Sequence, residues 1–314
     1  MGGILTSLIA SFAGKVTRAV FGGGNLENNT KMATIDYITV ETTGNATSFG
    51  SLTSARYRLG ACSSSTRGVF ASGETASGFT TIIDYITIAT AGNAISFGNL
   101  NTPDTAFEMA GCSSATRGLF GGGFSAGDYA GIHYVTIAST GNSLTFGNLT
   151  SARRGTTACA SPTRGVFGGG FFNLTVMDYV TIATTGNATS FGSLIQGRSY
   201  LTACSSPTRG IFAGGLNYNP NDGTIPVTTM DYITIATTGN ATYFGGLTAA
   251  RNQSSGTSSS LRGVFAAGAS NTGAQTNNMD YITLATTGNA VSFGTLTARF
   301  GLAGLSSGHG GISA

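Results

Sequence analysis

The stretch TRGVFGGGFFNLTVMDYVTIATTGNATSFGSL, residues 163–194, decides the fold because both of its halves return along the chain. The first half places an arginine before a hydrophobic pair that ends in phenylalanine, and these arginines are Arg18, Arg67, Arg117, Arg164, Arg209 and Arg262. The second half begins at Ile35, Ile83, Ile132, Met177, Met230 and Met279. Six units, starting near residues 18, 67, 117, 164, 209 and 262, therefore fill the chain to about residue 300 without a second domain.

Each unit is predicted to hold four short strands. In the second unit these are residues 60–64, 67–71, 84–90 and 94–100, which are rich in β-branched and aromatic residues and separated by small or polar ones. A Gly-Asn pair stands between the third and fourth strands of every unit: Gly44-Asn45, Gly92-Asn93, Gly141-Asn142, Gly186-Asn187, Gly239-Asn240 and Gly288-Asn289. Because both residue types tolerate positive φ, we expect this pair to form a tight hairpin turn.

Six units of four antiparallel strands predict an all-β fold, a six-bladed β-propeller whose blades bury both faces against their neighbours. Of the 30 aromatic residues, 18 fall at three repeat positions, which the first unit shows as Phe21, Tyr37 and Phe49. We expect these side chains to form the core between blades.

The unit resembles the Kelch repeat, which has a glycine pair, a tyrosine, a later aromatic residue and a closing arginine. The closing arginines are Arg56, Arg153, Arg198, Arg251 and Arg299, and none stands within residues 101–108 of the second unit. Kelch repeats usually carry tryptophan in the last strand, where this chain has phenylalanine.

The chain also resembles the repetitive propeller proteins of tailed-bacteriophage virions, because its units are nearly identical and lysine is scarce, occurring only as Lys15 and Lys31. That resemblance implies a structural component of a phage tail or capsid.

Composition excludes several classes of protein. Hydrophobic residues make up 40% of the chain, which excludes a disordered protein. Charged residues make up 9%, the net charge is +3 and no basic run occurs, so nucleic acid is not an expected partner. No apolar stretch approaches the roughly 20 residues of a transmembrane helix, so no transmembrane segment is expected.

Most charges repeat with the units, which favours a structural role. Five aspartates precede the repeat tyrosine, namely Asp36, Asp84, Asp178, Asp231 and Asp280, and His133 takes the sixth position. We expect repeated charges to join strands or loops by charge-assisted hydrogen bonds. Of the arginines, only Arg58 and Arg154 lie outside the pattern.

The four cysteines also repeat with the units. Each stands five residues before a repeat arginine, at Cys62, Cys112, Cys159 and Cys204. A buried thiol is expected at this position rather than a disulfide or a zinc ligand.

No catalytic centre, metal site or cofactor is expected, so the protein is predicted not to be an enzyme. His133 and His309 are the only histidines, and the glycine runs lack the Lys-Ser/Thr of a phosphate loop. Asp104, Glu108 and Asp128 form the one alternative cluster of acids, for which solvated loops are the simpler explanation.

The two ends differ from the repeats. Residues 1–17 are predicted to form an N-terminal anchor segment, a short apolar helix or arm with Ile4, Leu5, Leu8, Ile9 and Phe12 at helical spacing. It packs on the propeller itself or inserts into a partner. Residues 18–314 form the propeller, and residues 301–307 resemble the strand that precedes each repeat arginine. We therefore expect this last segment to complete the first blade beside residues 18–21.

Loops between the second and third strands vary most in length. The longest, residues 216–229, is the expected recognition site through Tyr218, Asn219 and Asn221.

Two functions fit these features of the sequence. The first is a non-catalytic structural or interaction protein of a virion, part of a larger oligomeric assembly, that binds other virion or scaffold proteins. The alternative is a receptor- or glycan-binding adhesin of a virion or cell surface, with a host-surface glycan or receptor as partner. The expected location is the virion, or else the extracellular space or cell surface.

Overall fold

The computed structural model describes residues 16–102, 107–219 and 223–312, which hold 28 strands. Six four-stranded antiparallel sheets form the blades of a propeller, and their innermost strands contact one another in a closed ring. From the inside outward, blade 1 consists of β28 (Ala303–Ser306), β1 (Arg18–Gly22), β2 (Thr34–Thr39) and β3 (Thr47–Ser51). Blade 2 consists of β4 (Gly60–Ser63), β5 (Arg67–Ala71), β8 (Ile82–Thr87) and β9 (Ile95–Asn99).

The other four blades follow the same order. Blade 3 consists of β10 (Ala110–Ser113), β11 (Arg117–Gly121), β12 (Gly131–Thr136) and β13 (Leu144–Asn148), and blade 4 of β14 (Thr157–Ala160), β15 (Arg164–Gly168), β16 (Val176–Thr181) and β17 (Thr189–Ser193). Blade 5 consists of β18 (Thr202–Ser205), β19 (Arg209–Ala213), β22 (Thr229–Thr234) and β23 (Thr242–Gly246), and blade 6 of β24 (Ser255–Ser258), β25 (Arg262–Ala266), β26 (Asn278–Thr283) and β27 (Val291–Thr295). Two small hairpins, β6–β7 (Glu74–Thr75, Gly78–Phe79) and β20–β21 (Leu216–Asn219, Gly223–Pro226), extend from blades 2 and 5.

Six clusters of buried apolar side chains lie in the described residues, one between each pair of adjacent blades. Between blades 1 and 2, Val20 and Ile35 pack with Phe70 and Ile86. The first-block phenylalanines are fully buried in all six blades: Phe21, Phe70, Phe120, Phe167, Phe212 and Phe265. The expected core between blades is thus confirmed for them, and this burial on both faces of each blade is the main stabilising contribution.

Ring closure follows the expected path. β28, near the C-terminal end, pairs with β1 in antiparallel register, so that Val20 faces Leu305 and Ala19 faces Ser306. The first blade is therefore assembled from both ends of the described chain, which confirms the role expected for residues 301–307. A ring closed by strand pairing needs no capping repeat.

The outer edge of each blade is covered by the next one. Gly44 N donates to Phe293 O and Ala46 N to Thr295 O, both at 2.8 Å, while Asn45 Oδ1 accepts from Thr295 N at 3.0 Å. The five equivalent asparagines make the same side-chain bond to the preceding blade.

The third and fourth strands are antiparallel neighbours as predicted, but the turn itself lies earlier, at residues 39–42 in blade 1. The role expected for the Gly-Asn pair was wrong, because the pair joins blades and covers an edge strand.

Repeated charges also join blades, as expected. Arg18 Nη1 donates to the carbonyls of Ile88 at 3.1 Å and Ala89 at 2.7 Å in blade 2, and its guanidinium lies over the Tyr37 ring. The other five strand-opening arginines make the same contacts. The closing arginines form buried ion pairs of 2.5–3.1 Å with the aspartates of the following blade: Arg56–Asp84, Arg153–Asp178, Arg198–Asp231, Arg251–Asp280 and Arg299–Asp36.

The four cysteines are free and buried. Each thiol packs against the glycine that follows the strand-opening arginine of the next blade; a Cβ on Gly118, for example, would lie 2.3 Å from Cys62 Sγ. Burial raises the pKa of every one of these thiols, to about 12 for Cys112. They act as small core residues, as the repeat position predicts.

Residues 1–15 lie outside the described part of the chain, and with them the predicted helix or arm and its side chains Ile4, Leu5, Leu8, Ile9 and Phe12. The described residues contain no helix. Among them, no helical segment is therefore long and apolar enough to cross a membrane.

Candidate functional site: the loop face

The propeller has two unlike ends. One end carries the short turns between first and second strands and between third and fourth strands. The other end carries the variable loops between second and third strands and the connections from one blade to the next. We call these ends the turn face and the loop face.

At the loop face, one residue per blade lies at the mouth of the central channel in a left-handed conformation. It stands two positions after the closing arginine or its equivalent, and the six residues, with φ from 51° to 66°, are Arg58, Glu108, Gly155, Tyr200, Gln253 and Gly301. Among the described residues, five backbone hydrogen bonds link them from blade to blade, such as Arg58 N to Gly301 O at 2.6 Å and Gln253 N to Tyr200 O at 2.9 Å. Two of the six are glycines, so the position accepts the residue that suits positive φ best. Retaining four larger side chains there costs backbone energy, which is common at functional sites.

These four larger side chains meet over a small open cavity of about 90 Å³. Arg58 Nη1 lies 2.7 Å from Glu108 Oε1, and the same oxygen accepts from Tyr200 Oη at 3.3 Å. Arg58 Nε donates to Gln253 Oε1 at 3.4 Å. The mouth therefore combines a cation, an anion, a phenol and an amide at one equivalent position of the repeat.

Glu108 corrects one expectation from the sequence. Its side chain is 4% exposed rather than part of a solvated loop, and Oε2 is buried without a hydrogen-bond partner among the described residues. Burial raises the pKa of the Glu108 carboxyl, while Arg58 and Arg154 oppose that shift. Asp128, the second acid of that predicted cluster, pairs with Arg154 at 3.3 Å, and Asp104 lies outside the described residues.

Sequence reasoning missed the mouth because Arg58 was set aside as lying outside the repeat pattern. The sequence did carry a signal. The position two residues after the closing arginine, or its equivalent, is glycine in two units and a different residue in each of the other four: Arg58, Glu108, Tyr200 and Gln253. Only the ring arrangement shows that these positions converge.

Aromatic side chains surround the mouth on the loop face. Arg154 lies between the rings of Phe124 and Phe171, with Cζ 4.6 Å and 4.2 Å from their centroids. Phe171 in turn contacts Tyr200 edge to face, with centroids 6.2 Å apart. Phe172 and Tyr218 are exposed, at 78% and 57%. Such an exposure of large rings is typical of a recognition surface.

A groove lies between the loop of blade 4 and the hairpin of blade 5. Its volume is about 370 Å³, and its lining residues are Phe171, Phe172, Asn173, Ser199, Tyr218 and Thr224. Asn173 Oδ1 accepts from Tyr218 N at 2.9 Å, and Asn173 Nδ2 donates to Tyr218 O at 3.2 Å. This pair of bonds holds the two loops together.

The structure describes two of the three predicted recognition residues, Tyr218 and Asn219. Tyr218 lies on β20 and lines the groove. Asn219 ends the same strand and is described by its backbone alone, while Asn221 lies outside the described residues. Their role in binding stays a prediction.

The turn face of the channel is closed by the chain itself. Residues 307–312 cross it: His309 Nδ1 accepts from Gly311 N at 3.0 Å, so Nε2 carries the proton and donates to Ser63 O at 3.0 Å. Ile312 is buried. Burial lowers the pKa of His309 to about 4, while its bond to Ser63 opposes that shift. Among the described residues, the loop face is thus the end at which the channel is open.

Within the described residues, no group of three or more His, Cys, Asp or Glu side chains is arranged to hold a metal ion. The chain matches no protein-family model and none of the curated proteins with which it was compared.

Proposed function

We propose that this protein is a non-catalytic interaction protein, a rigid block that binds other proteins of a tailed-phage virion through its loop face. The virion context comes from the likeness of its units to the repetitive propellers of tailed phages. The interaction role rests on the channel mouth, where the repeat supplies four unlike polar side chains at one equivalent position. Elsewhere the repeated charges are used inside the fold, in contacts between blades.

The chemistry of the mouth suits binding better than catalysis. Glu108 is held by Arg58 and Tyr200. Ser254 lines the same cavity, but its hydroxyl has no hydrogen-bond partner among the described residues that could act as its base. Aromatic rings and arginine, which surround this mouth, are the residue types that dominate protein interfaces. The block binds as part of a larger oligomeric assembly, and the virion is its location.

Site-specific photo-crosslinking in the assembled particle tests this proposal. A photoreactive residue replaces Gln253 at the channel mouth, and a matched one replaces Thr185, which is exposed on the turn face. We expect the chain to sediment with purified virions. The variant that carries the photoreactive residue in place of Gln253 should cross-link to a virion protein at least several-fold more than the variant that carries it in place of Thr185. A chain absent from particles would refute the virion role, and equal cross-linking from both faces would refute the loop face as the binding surface.

The absence of catalysis is tested separately. Purified protein is expected to show no glycosidase or oxidase turnover and no stoichiometric transition metal. Turnover that Glu108→Gln abolishes would overturn the non-catalytic proposal.

A further inference from the structure

We propose that the groove between blades 4 and 5 binds a neutral saccharide, an activity that goes beyond the protein-binding role proposed above. The groove has two exposed aromatic rings, Phe172 and Tyr218, beside the exposed Thr224 and the amide of Asn173. Ser199, the third polar residue of the lining, is buried. None of its six lining residues is charged, so within the described part of the chain it offers no counterion to an acidic or basic ligand.

The aromatic faces match the chemistry of sugar rings. A pyranose presents a face of C–H bonds, whose partial positive charge is attracted to the negative face of an aromatic ring. Its hydroxyl groups lie at the edge and pair with uncharged donors and acceptors such as amides and hydroxyls. A mostly aromatic cleft with a few polar groups is the usual form of a small-ligand site.

The rings are held outward at a cost in backbone energy. Phe172 has φ of 66° and Asn173 has φ of 58°, a left-handed pair of non-glycine residues. For a bulky aromatic residue this conformation is unusual. It leaves the Phe172 ring 78% exposed, although burying that ring would be favourable.

The groove is also preorganised. The two hydrogen bonds from Asn173 to the Tyr218 backbone fix the loop of blade 4 to the hairpin of blade 5. Close packing limits movement further, because a Cβ on Gly197 would lie 1.7 Å from Asn173 O. A groove fixed before binding loses less entropy when it takes a ligand.

Binding to an array of neutral oligosaccharides of glucose, galactose, mannose and N-acetylglucosamine tests the inference. The wild-type chain is compared with the double variant Phe172→Ala and Tyr218→Ala. The control is Tyr243→Ala, whose ring is also 57% exposed but stands on the outer strand of blade 5. We expect saturable retention on at least one neutral glycan, weakened tenfold or more in the double variant and unchanged in the control.

Two outcomes would overturn the saccharide site: no retention on any neutral glycan, or retention that the double variant keeps. All variants are first shown to share the wild-type melting temperature, which the high exposure of the replaced rings predicts. If neutral glycans fail while the double variant loses a virion partner, the groove is a protein-docking surface, so this inference falls and the proposed function stands.

Discussion

At the scale of the residue, the buried charges within the described part of the chain occur in pairs. Five blades keep both the aspartate and the arginine that meets it. Blade 3 carries His133 in place of the aspartate, and the sequence before it carries no closing arginine within residues 101–108. Tyr129 Oη lies 2.8 Å from His133 Nε2 and replaces the ion pair with a neutral hydrogen bond. Losing both charges together avoids leaving one of them buried without a partner.

This pairing predicts a strongly non-additive effect on stability. Arg153→Met leaves the Asp178 carboxylate, which is fully buried, without its cation at 2.8 Å. We expect the free energy of unfolding to fall by about 3–5 kcal/mol, measured by denaturant titration. The double variant Arg153→Met and Asp178→Asn should lose less than the single variant, because no buried charge remains and Thr150 still donates to the side chain. A double variant less stable than Arg153→Met would contradict this account.

At the scale of the element, the outer strand of each blade is protected by the Gly-Asn segment of the next. The segment lies so close that the fourth strand needs glycine where the two meet. A Cβ on Gly245 would lie 2.1 Å from Gly288 O, and the five equivalent glycines show similar distances: Gly50, Gly98, Gly147, Gly192 and Gly294. The glycine that follows the fourth-strand phenylalanine of each unit is therefore required for packing between blades.

Two adjacent glycines provide a matched test of that requirement. Gly245→Ala is expected to lower the free energy of unfolding by about 1–3 kcal/mol, since the methyl group forces the Gly288 segment away. Gly246→Ala meets nothing closer than Thr228 Oγ1 at 3.5 Å and should change stability by no more than about 0.5 kcal/mol. Midpoints of thermal and denaturant unfolding measure both. Equal effects of the two substitutions would argue against the close approach.

At the scale of the whole molecule, the ring is closed twice. β28 completes blade 1 through backbone pairing with β1. In five blades a serine at the end of the inner strand donates to the carbonyl of the preceding blade, at 2.6–2.8 Å: Ser63, Ser113, Ser205, Ser258 and Ser306. Ala160 holds the sixth position. Residues 307–312 then cover this end of the channel, with His309 bonded to the serine ring.

The covering segment predicts a pH dependence. Because the pKa of His309 is about 4 in the folded state and about 6.5 when unfolded, the unfolded chain binds more protons between these values. His309 therefore contributes stability above pH 6.5 that is lost as the pH falls toward 4. Its neutral Nδ1 accepts from Gly311 N, and a proton there would end that bond.

Melting temperatures from pH 7 to pH 4 measure this effect. The wild-type chain is expected to lose more stability over that interval than His309→Gln, and the comparison removes the contribution of His133, whose pKa burial also lowers. NMR titration should place the His309 midpoint below 5. A midpoint near 6.5, with equal pH profiles for both proteins, would show that the tail does not hold His309 neutral.

The sequence by itself determined the six units, the strand types and the closure of the first blade by the last strand, because these depend on period and local β-propensity. In blade 2 the predicted strand at residues 67–71 matches β5, and the predicted third strand at 84–90 is shifted by two or three residues from β8. The structural use of the repeated arginines and aspartates also followed from repetition alone, since a group that recurs in every blade meets the same neighbours each time.

Only the tertiary structure decided what meets across blades. The ring brings Arg58, Glu108, Tyr200 and Gln253 together at the channel mouth, and it turns the Gly-Asn pair from an expected hairpin turn into a cover for the neighbouring strand. It also forms the groove between Phe172 and Tyr218, which belong to different units. These contacts join residues that are distant in the chain, so they depend on how the blades pack around a common axis, which local sequence pattern does not encode.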